Sequence, residues 1–513
     1  MSTEGRLAPA TVVIQGIRLV RSTAPVFLVS LVHAWRQPEM LPFSLGIAGL
    51  AVSLGLVSLT LHWLRYRWRF TTDSLEVESG ILGRQVRRIP LSRIQDVDTS
   101  QGILERMFGV VVLSVHTSST QKAEVELATV SKSDAELLMT ALKAGVGGGA
   151  SAAVTATTAP ALLTIRTSQL ILRGLTDNRA GLVVATGLAA FERLFQGSEG
   201  LIVDMAGEAR RGLLPPEVAA SGPLAWSLVA MAAVFALVIV GYVASMVFNV
   251  VTFHGYSLRL EGDRSGAVFR REYGLFTRRS QALPRERIQA LVLGQSPVRR
   301  LLGVGSLRAH DMGSSSDPKS GGTTGRDGFV PIAPVLQLRA LVPLAFPGLP
   351  HAPEKMRPVS SRMVRRMGTL GLLFGGLLGA LVLGAATQVG GASLPIGALV
   401  LALSATGGAL LGTLYGRLAH ARLRVSAHRG FFVVHRGVLW IEEVTVPAAR
   451  IEAAILSRTP LDRFHGVATV TVVVGGGDRF SVANVSLPHA AELIGDLQAA
   501  ESGEASGSLW GAS

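Results

Sequence analysis

A chain of 513 residues that is 48% hydrophobic, only 16% charged and +14 in formal net charge is too apolar for an ordinary soluble protein, where about a quarter of residues are charged. Its positive excess suits nucleic acid or an anionic membrane surface, but no nucleic-acid motif accompanies it, so no nucleic-acid partner is expected. The absence of cysteine excludes disulfides, zinc-thiolate sites and thiol nucleophiles.

The first twenty residues carry Glu4, Arg6 and Arg18 and lack an apolar core with a small-residue cleavage site, so no cleaved signal peptide is predicted. A helix needs about 20 apolar residues to cross a bilayer. Pro42–Leu64 and Gly222–Phe253 contain no Asp, Glu, Lys or Arg. Met367–Gly416 is equally uncharged and long enough for two spans, with TQVGGASLP as the turn between them. Ser22–Trp35 is shorter, between Arg21 and Arg36, and Ala180–Phe191 runs into Glu192 and Arg193. By length alone these last two fit interfacial or buried helices as well.

A repeat decides how they are read. GILGRQVRRIPLSRIQDVDTSQGILERMFGV begins at Gly80, GLFTRRSQALPRERIQALVLGQSPVRRLLGV at Gly274 and GVLWIEEVTVPAARIEAAILSRTPLDRFHGV at Gly437. Without a gap, the copies share Pro90, Pro284 and Pro447, then the pairs Arg93-Ile94, Arg287-Ile288 and Arg450-Ile451. They next share Arg106, Arg300 and Arg463, then Gly109, Gly303 and Gly466. The first glycine suits a turn between two strands. The proline ends the second strand, because it cannot donate to a ladder. The second glycine precedes a β-rich run, VVVLSV or VATVTVVV, and an amphipathic helix closes the unit. In copy one that helix is SKSDAELLMTALKAG, with Ser133 and Glu136 spaced as a capping box. In copy two a Gly/Ser-rich insert widens the last hairpin, and Pro343 interrupts the closing helix.

Each unit follows an apolar pair. If either short stretch failed to cross, copies of one domain would face opposite sides, so six spans in three hairpins are predicted. The corresponding division is 1–65 (first membrane pair), 66–146 (first domain), 147–179 (linker), 180–253 (second pair), 254–350 (second domain), 351–366 (linker), 367–416 (third pair), 417–500 (third domain) and 501–513 (flexible tail). The domain side of the spans carries Arg18, Arg21, Arg65, Arg67, Arg69, Arg173, Arg179, Arg362, Arg365, Arg366, Arg417, Arg422 and Arg424. The opposite side offers Arg36 with Glu39, and Arg210 and Arg211 against Glu199, Asp204, Glu208 and Glu217. The positive-inside rule then places the domains and both termini in the cytoplasm of a bacterial cell, with the spans in its inner membrane.

The span pair followed by RYRWRFTTDSLEVESGILGRQVRRIPLSRIQDVDTSQGILERMFGV resembles the bacterial membrane-associated PH-like domain family. The triplicate arrangement is similar to the YdbT-like membrane proteins. The resemblance implies an α plus β membrane protein in which each helical hairpin precedes a small PH-like β-barrel closed by a C-terminal helix. It implies no catalytic residues and no cofactor, so an enzyme is not expected.

The bilayer is the first partner. Arg84, Arg87 and Arg88, with Arg278 and Arg279 in copy two, sit where they could grip lipid phosphates, at about 1 kcal/mol each. Copy three has Ile441, Glu442 and Glu443 there, which argues against one lipid site common to all copies, and the blander reading is a solvated strand. The recurring arginines are better explained by an ion pair or a carbonyl contact than by ligand binding. His310-Asp311 has no second ligand cluster at a useful spacing, so no metal is expected. The glycines of TLGLLFGGLLGALVLG permit close helix packing, within a hairpin or in a homo-oligomer. The leading functional reading is a scaffold that recruits other membrane or cytosolic proteins or anionic lipid. The alternative is a six-helix transporter or channel with regulatory domains, which the uncharged spans disfavour.

Overall fold

A computed structural model describes residues 3–36, 41–71, 74–80, 83–91, 94–117, 125–132, 134–135, 160–176, 223–262, 266–311, 328–349, 356–388, 394–428 and 430–501. These form two compact units, one built from 1–263 and 268–283, the other from 264–267 and 284–513, so the division falls inside the second repeat.

In the first unit, β1 (Thr3–Arg6) precedes the helices Ala10–Arg36 and Leu41–Arg65. The strands β2 (Arg67–Phe70), β3 (Ser74–Ser79) and β4 (Gln85–Pro90) follow. Together they make an antiparallel sheet in the order β1-β2-β3-β4. Alternation sends Trp68 and Phe70 inward, where they meet Leu75, Val77, Ile89, Ile94, Leu113 and Val115 in one core. After the proline come β5 (Ile94–Gln101), the short helix Ile103–Met107, β6 (Val110–Thr117) and β7 (Val125–Ser131). The second repeat opens with β8 (Leu163–Thr164) and the helices Thr167–Thr176 and Pro223–Phe253. It continues through β9 (Ser257–Glu261), β10 (Val268–Tyr273) and β11 (Arg278–Pro284). These strands do not form a sheet of their own: the order is β7-β6-β5-β11-β10-β9-β8, so the last three strands of copy one continue into the first four of copy two.

The second unit repeats the plan. It contains β12 (Ile288–Gln295), the short helix Pro297–Leu301, β13 (Val304–Asp311), β14 (Val330–Pro334) and the helix Val335–Ala345. Then come β15 (Arg357–Pro358), the helices Arg362–Gln388 and Leu394–Arg422, β16 (Arg424–His428), β17 (Phe431–Arg436) and β18 (Ile441–Pro447). It ends with β19 (Ile451–Ser457), the short helix Pro460–His465, β20 (Val467–Val474), β21 (Arg479–Ser486) and the helix Leu487–Glu501. The order β14-β13-β12-β18-β17-β16-β15 again joins two repeats, and β19-β20-β21 stands as a separate sheet. The expectation of three self-contained barrels therefore gives way to sheets shared between neighbours.

Copies two and three also start earlier than expected, with the same opening strand as copy one. A short strand (β1, β8 or β15) precedes the first helix and pairs with the strand after the membrane pair. Residues 160–176 and 357–358, placed in linkers by the sequence, thus belong to their repeats. The helix of copy two runs through Pro343 to Ala345. In copy one, Ser131 Oγ accepts the Asp134 N–H at 3.1 Å, while the expected Ser133–Glu136 pair and the tail from residue 502 lie outside the described residues.

Four helical segments among the described residues are long and apolar enough to cross a membrane: Leu45–Arg65, Phe235–Phe253, Arg362–Ala386 and Pro395–Arg422. Six are not seen. The helix Ala10–Arg36 contains Ser22–Trp35 but is not among the four; the side chains from residue 25 onward in it lie outside the described residues. Ala180–Phe191 lies outside the described residues.

The glycines of the third pair serve the hairpin itself. A Cβ added at Gly371 would stand 2.1 Å from the Gly408 carbonyl oxygen, and one at Gly375 would stand 2.2 Å from that of Ser404. Backbone meets backbone there, which only a missing side chain permits. Gly384, on the same helix, has open space around it. Gly375→Ala is therefore expected to destabilise the hairpin by about 1–3 kcal/mol relative to Gly384→Ala. Both substitutions change helix propensity alike, so the difference in their SDS-unfolding midpoints reads packing alone.

Candidate functional site

The recurring frame builds one interface module. Gly80, Gly274 and Gly437 have φ of 121°, 113° and 102°, and a Cβ on each would strike the carbonyl oxygen three residues on at 2.0 Å or less. Only glycine closes this turn. The strand leaving it ends at Pro90, Pro284 or Pro447. Ile94 and Ile288 then begin the strand that docks the following repeat, and Ile451 begins its counterpart β19 in the last copy. Ile94 and Ile288 are buried.

At the first junction β11 lies antiparallel to β5, with Arg278 opposite Gln101, Arg279 opposite Ser100 and Ser280 opposite Thr99. Arg106 donates to the carbonyls of Leu275 and Phe276, both at 2.7 Å, so it clasps the turn of the neighbouring repeat. Gln281 donates to Asp98 at 3.4 Å. Beside this seam is a cleft of about 580 Å³ whose wall includes Arg106, Lys132, Arg278, Arg279 and a single carboxylate among its lining residues, Glu272. Such a surface attracts anions.

The second junction uses the opposite charge. There β18 lies against β12, with Ile441 opposite Gln295 and Glu442 opposite Gly294. Glu442 pairs with Arg308 of the preceding repeat and, at 2.7 Å, with Arg436 on its own hairpin. Glu443 pairs with Arg339 at 3.0 Å and His435 at 3.3 Å. Burial alone would raise both carboxyls. The hydrogen bonds and charges of Arg436 and Arg308 hold Glu442 below the usual range, and those of His435 and Arg339 do the same for Glu443. The acidic copy-three hairpin is thus matched to a basic neighbour.

A second device ties the short helices to the membrane pairs. Glu105 is buried and pairs with Arg18. Asp462 occupies the same place, four residues before the frame glycine, and meets Arg366 at 2.6 Å at the foot of the helix Arg362–Gln388. Burial pushes the Asp462 carboxyl up, but the Thr459 N–H and hydroxyl and the Arg366 guanidinium bring it below its ordinary 3.8. The same short helices expose a large apolar side chain beside the turn: Met107, Leu301 and Phe464 are 75, 88 and 81% exposed.

The arginines singled out in the sequence are spread over different tasks. Arg84 pairs with Glu78 at 2.7 Å and Arg88 with Glu76 at 2.8 Å. Arg87 and Arg88 lie on β4, with Arg84 just before it, and among the described residues β4 pairs with β3 alone. Arg287 pairs with Asp311 at 3.3 Å, and His310 Nδ1 lies 2.7 Å from Asp478 Oδ2. Arg300 and Arg463 are exposed, Arg450 is half-buried, and Arg93 lies outside the described residues. Among the described residues, no group of three or more His, Asp or Glu could hold a metal. Sequence reasoning missed Glu105 and Asp462. Their common distance from the frame glycine was a signal, but Arg299 fills that position in copy two.

Two substitutions test this geometry. Asp462→Ala leaves Arg366, whose side chain is 15% exposed, without its partner and should cost about 2–3 kcal/mol. Because the folded Asp462 pKa lies below 3.8, the wild-type advantage is present above that pH and shrinks as pH falls through the folded value. Thermal unfolding of both proteins across pH measures it. Arg308→Glu should destabilise the second junction by about 1 kcal/mol, and Glu442→Arg added to it should recover most of that loss.

The comparisons with known proteins agree with this triplicate plan. The chain is 28% identical over 149 residues to the UPF0699 transmembrane protein YdbT of Bacillus subtilis (strain 168), a match covering 28% of this chain and 30% of that protein. The aligned part is thus under a third of the relative's length. No solved structure matches the chain. The bacterial PH domain pattern matches three times, at residues 24–146, 211–341 and 375–501, and the chain therefore belongs to the bacterial PH domain family.

Proposed function

We propose that this membrane protein is a non-enzymatic platform of the bacterial inner membrane, presenting its PH domains to the cytoplasm to gather partner proteins. The observation that carries the reading is the way the repeats join. Both junctions are made by adding a strand to a sheet edge, a mode that also serves binding between separate proteins. The orientation is supported by the arginines flanking the described spans, among them Arg65, Arg362, Arg366 and Arg422. No observation favours the transport alternative. Reporter fusions after residues 146, 350 and 500 should all read as cytoplasmic. Proximity labelling from the same points should enrich a small, reproducible set of proteins that a fusion to an unrelated inner-membrane protein does not. A periplasmic reading at any point, or an unselective set, removes the proposal.

A second reading is favoured by the basic cleft at the first junction. Arg106, Lys132, Arg278 and Arg279 would hold the phosphate of an anionic lipid. At about 1 kcal/mol for each cation, changing Lys132, Arg278 and Arg279 to Gln should weaken retention of anionic lipid by roughly 100-fold, and leave zwitterionic lipid unaffected. Native mass spectrometry from mixed-lipid nanodiscs makes that comparison.

A further inference from the structure

The two junctions are one docking mode used twice. Arg278 and Ile441 each stand four residues after their turn glycine, and Gln101 and Gln295 each stand seven after their frame isoleucine. Those residues are the ones paired across the two seams. The hairpin strand of copies two and three therefore docks, in the same register, on the strand after the proline of the copy before. Two strands of this set are left over. β4 is the hairpin strand of the first copy and ends its four-stranded sheet; β19 is the docking strand of the last copy and ends its three-stranded sheet.

Both strands are exposed where their counterparts are covered. Ile455 and Leu456 on β19 are each 44% exposed, whereas the matching Val292 and Leu293 on β12 are 1 and 4% exposed. On β4 the residues from Gln85 to Arg88 are exposed, with Val86 at 53%. An edge of this kind is a template for another strand.

The chemistry of the two edges matches as well. At the second junction Glu442 meets Arg308 and Glu443 meets Arg339. The corresponding residues of β4 are Gln85 and Val86, and those of copy three are Thr471 and Ala491. Charge has been removed from both sides at both positions, so β4 laid on β19 needs neither of the ion pairs that bridge the second junction. The transposed register sets Gln85 opposite Ser457, Val86 opposite Leu456, Arg87 opposite Ile455 and Arg88, itself paired with Glu76, opposite Ala454. At its end Arg84 faces Arg458, each already engaged, by Glu78 and by the Val467 carbonyl.

We propose that β4 of one molecule adds to β19 of a second copy, joining this protein head to tail. The inference goes beyond the platform reading and stands on the equivalence of the strands. Such a contact is heterologous: the two chains use different surfaces, so repetition gives a ring or an open array, not a closed twofold pair.

The chain has no cysteine, which makes the test direct. Two differently tagged full-length chains, one carrying Val86→Cys and the other Leu456→Cys, are co-expressed and oxidised in the membrane. The expected result is a disulfide linking the two tags, with at least tenfold lower yield when Glu452→Cys replaces Leu456→Cys. Untreated wild-type protein should give dimers and higher species by native mass spectrometry, and Leu456→Arg should weaken that association by at least tenfold. Absence of the mixed disulfide with monomeric wild type overturns the proposal. A predominant link between two Val86→Cys chains also overturns it, as does capture of a different protein at either cysteine.

Discussion

A strand at the edge of a sheet presents amide hydrogens and carbonyl oxygens that must find partners, and in this chain that demand is what ties one repeat to the next. β5 and β12 would each be such an edge if the repeats folded as closed bodies. Instead β11 and β18 occupy them. The backbone supplies the shared geometry of both seams, which is why the turn glycine and the terminal proline recur while the side chains between them do not. A glycine with positive φ aims the hairpin, and a proline stops it before the chain turns into the docking strand. Side chains then individualise each seam: a neutral-to-basic one with Arg106 clasping two carbonyls, and an acidic one bridged by Arg308 and Arg339.

The membrane side obeys a different constraint. A helix leaving the bilayer has to be held at a fixed height against the sheets, and an exposed ion pair would do this weakly. Glu105 and Asp462 are buried and form charge-assisted contacts with arginines on the adjoining helices; the Asp462–Arg366 pair is mostly shielded from water, whereas Arg18 stays 57% exposed. The third helical pair is joined by backbone contact at its glycines, since apolar side chains gain little from one another in lipid.

Much of this was legible in the sequence. The ungapped frame located every turn glycine and terminal proline, and the uncharged stretches located four spans. The physics behind those features is local: a φ that only glycine tolerates, a donor that proline lacks, a length of apolar chain. What escaped was non-local. Nothing in a strand such as β5 states whether its edge is filled by its own repeat or the next, because the same alternation serves both. The opening strands β1, β8 and β15 are too short to show a period, and β15 is two residues long. The acidic hairpin of copy three looked like the loss of a shared site; only the structure brings Arg308 and Arg339 to it. Ser22–Trp35 was read as a span by symmetry among the copies; the helix that contains it also extends back to Ala10 and carries Arg18 toward Glu105, which no local pattern announces.

The opposite polarity of the two seams also bears on how the chain avoids tangling as it folds. Two hairpin strands have to find the right two among three nearly equivalent docking strands, and backbone pairing alone cannot tell them apart. Were β11 to settle on β12, Arg279 would take the place of Glu442 and meet Arg308, cation against cation. Were β18 to settle on β5, Glu442 would forfeit Arg308 and Glu443 would forfeit Arg339. Wrong partners are penalised by electrostatics, so the linear order of the repeats is proofread by the very residues that differ between them.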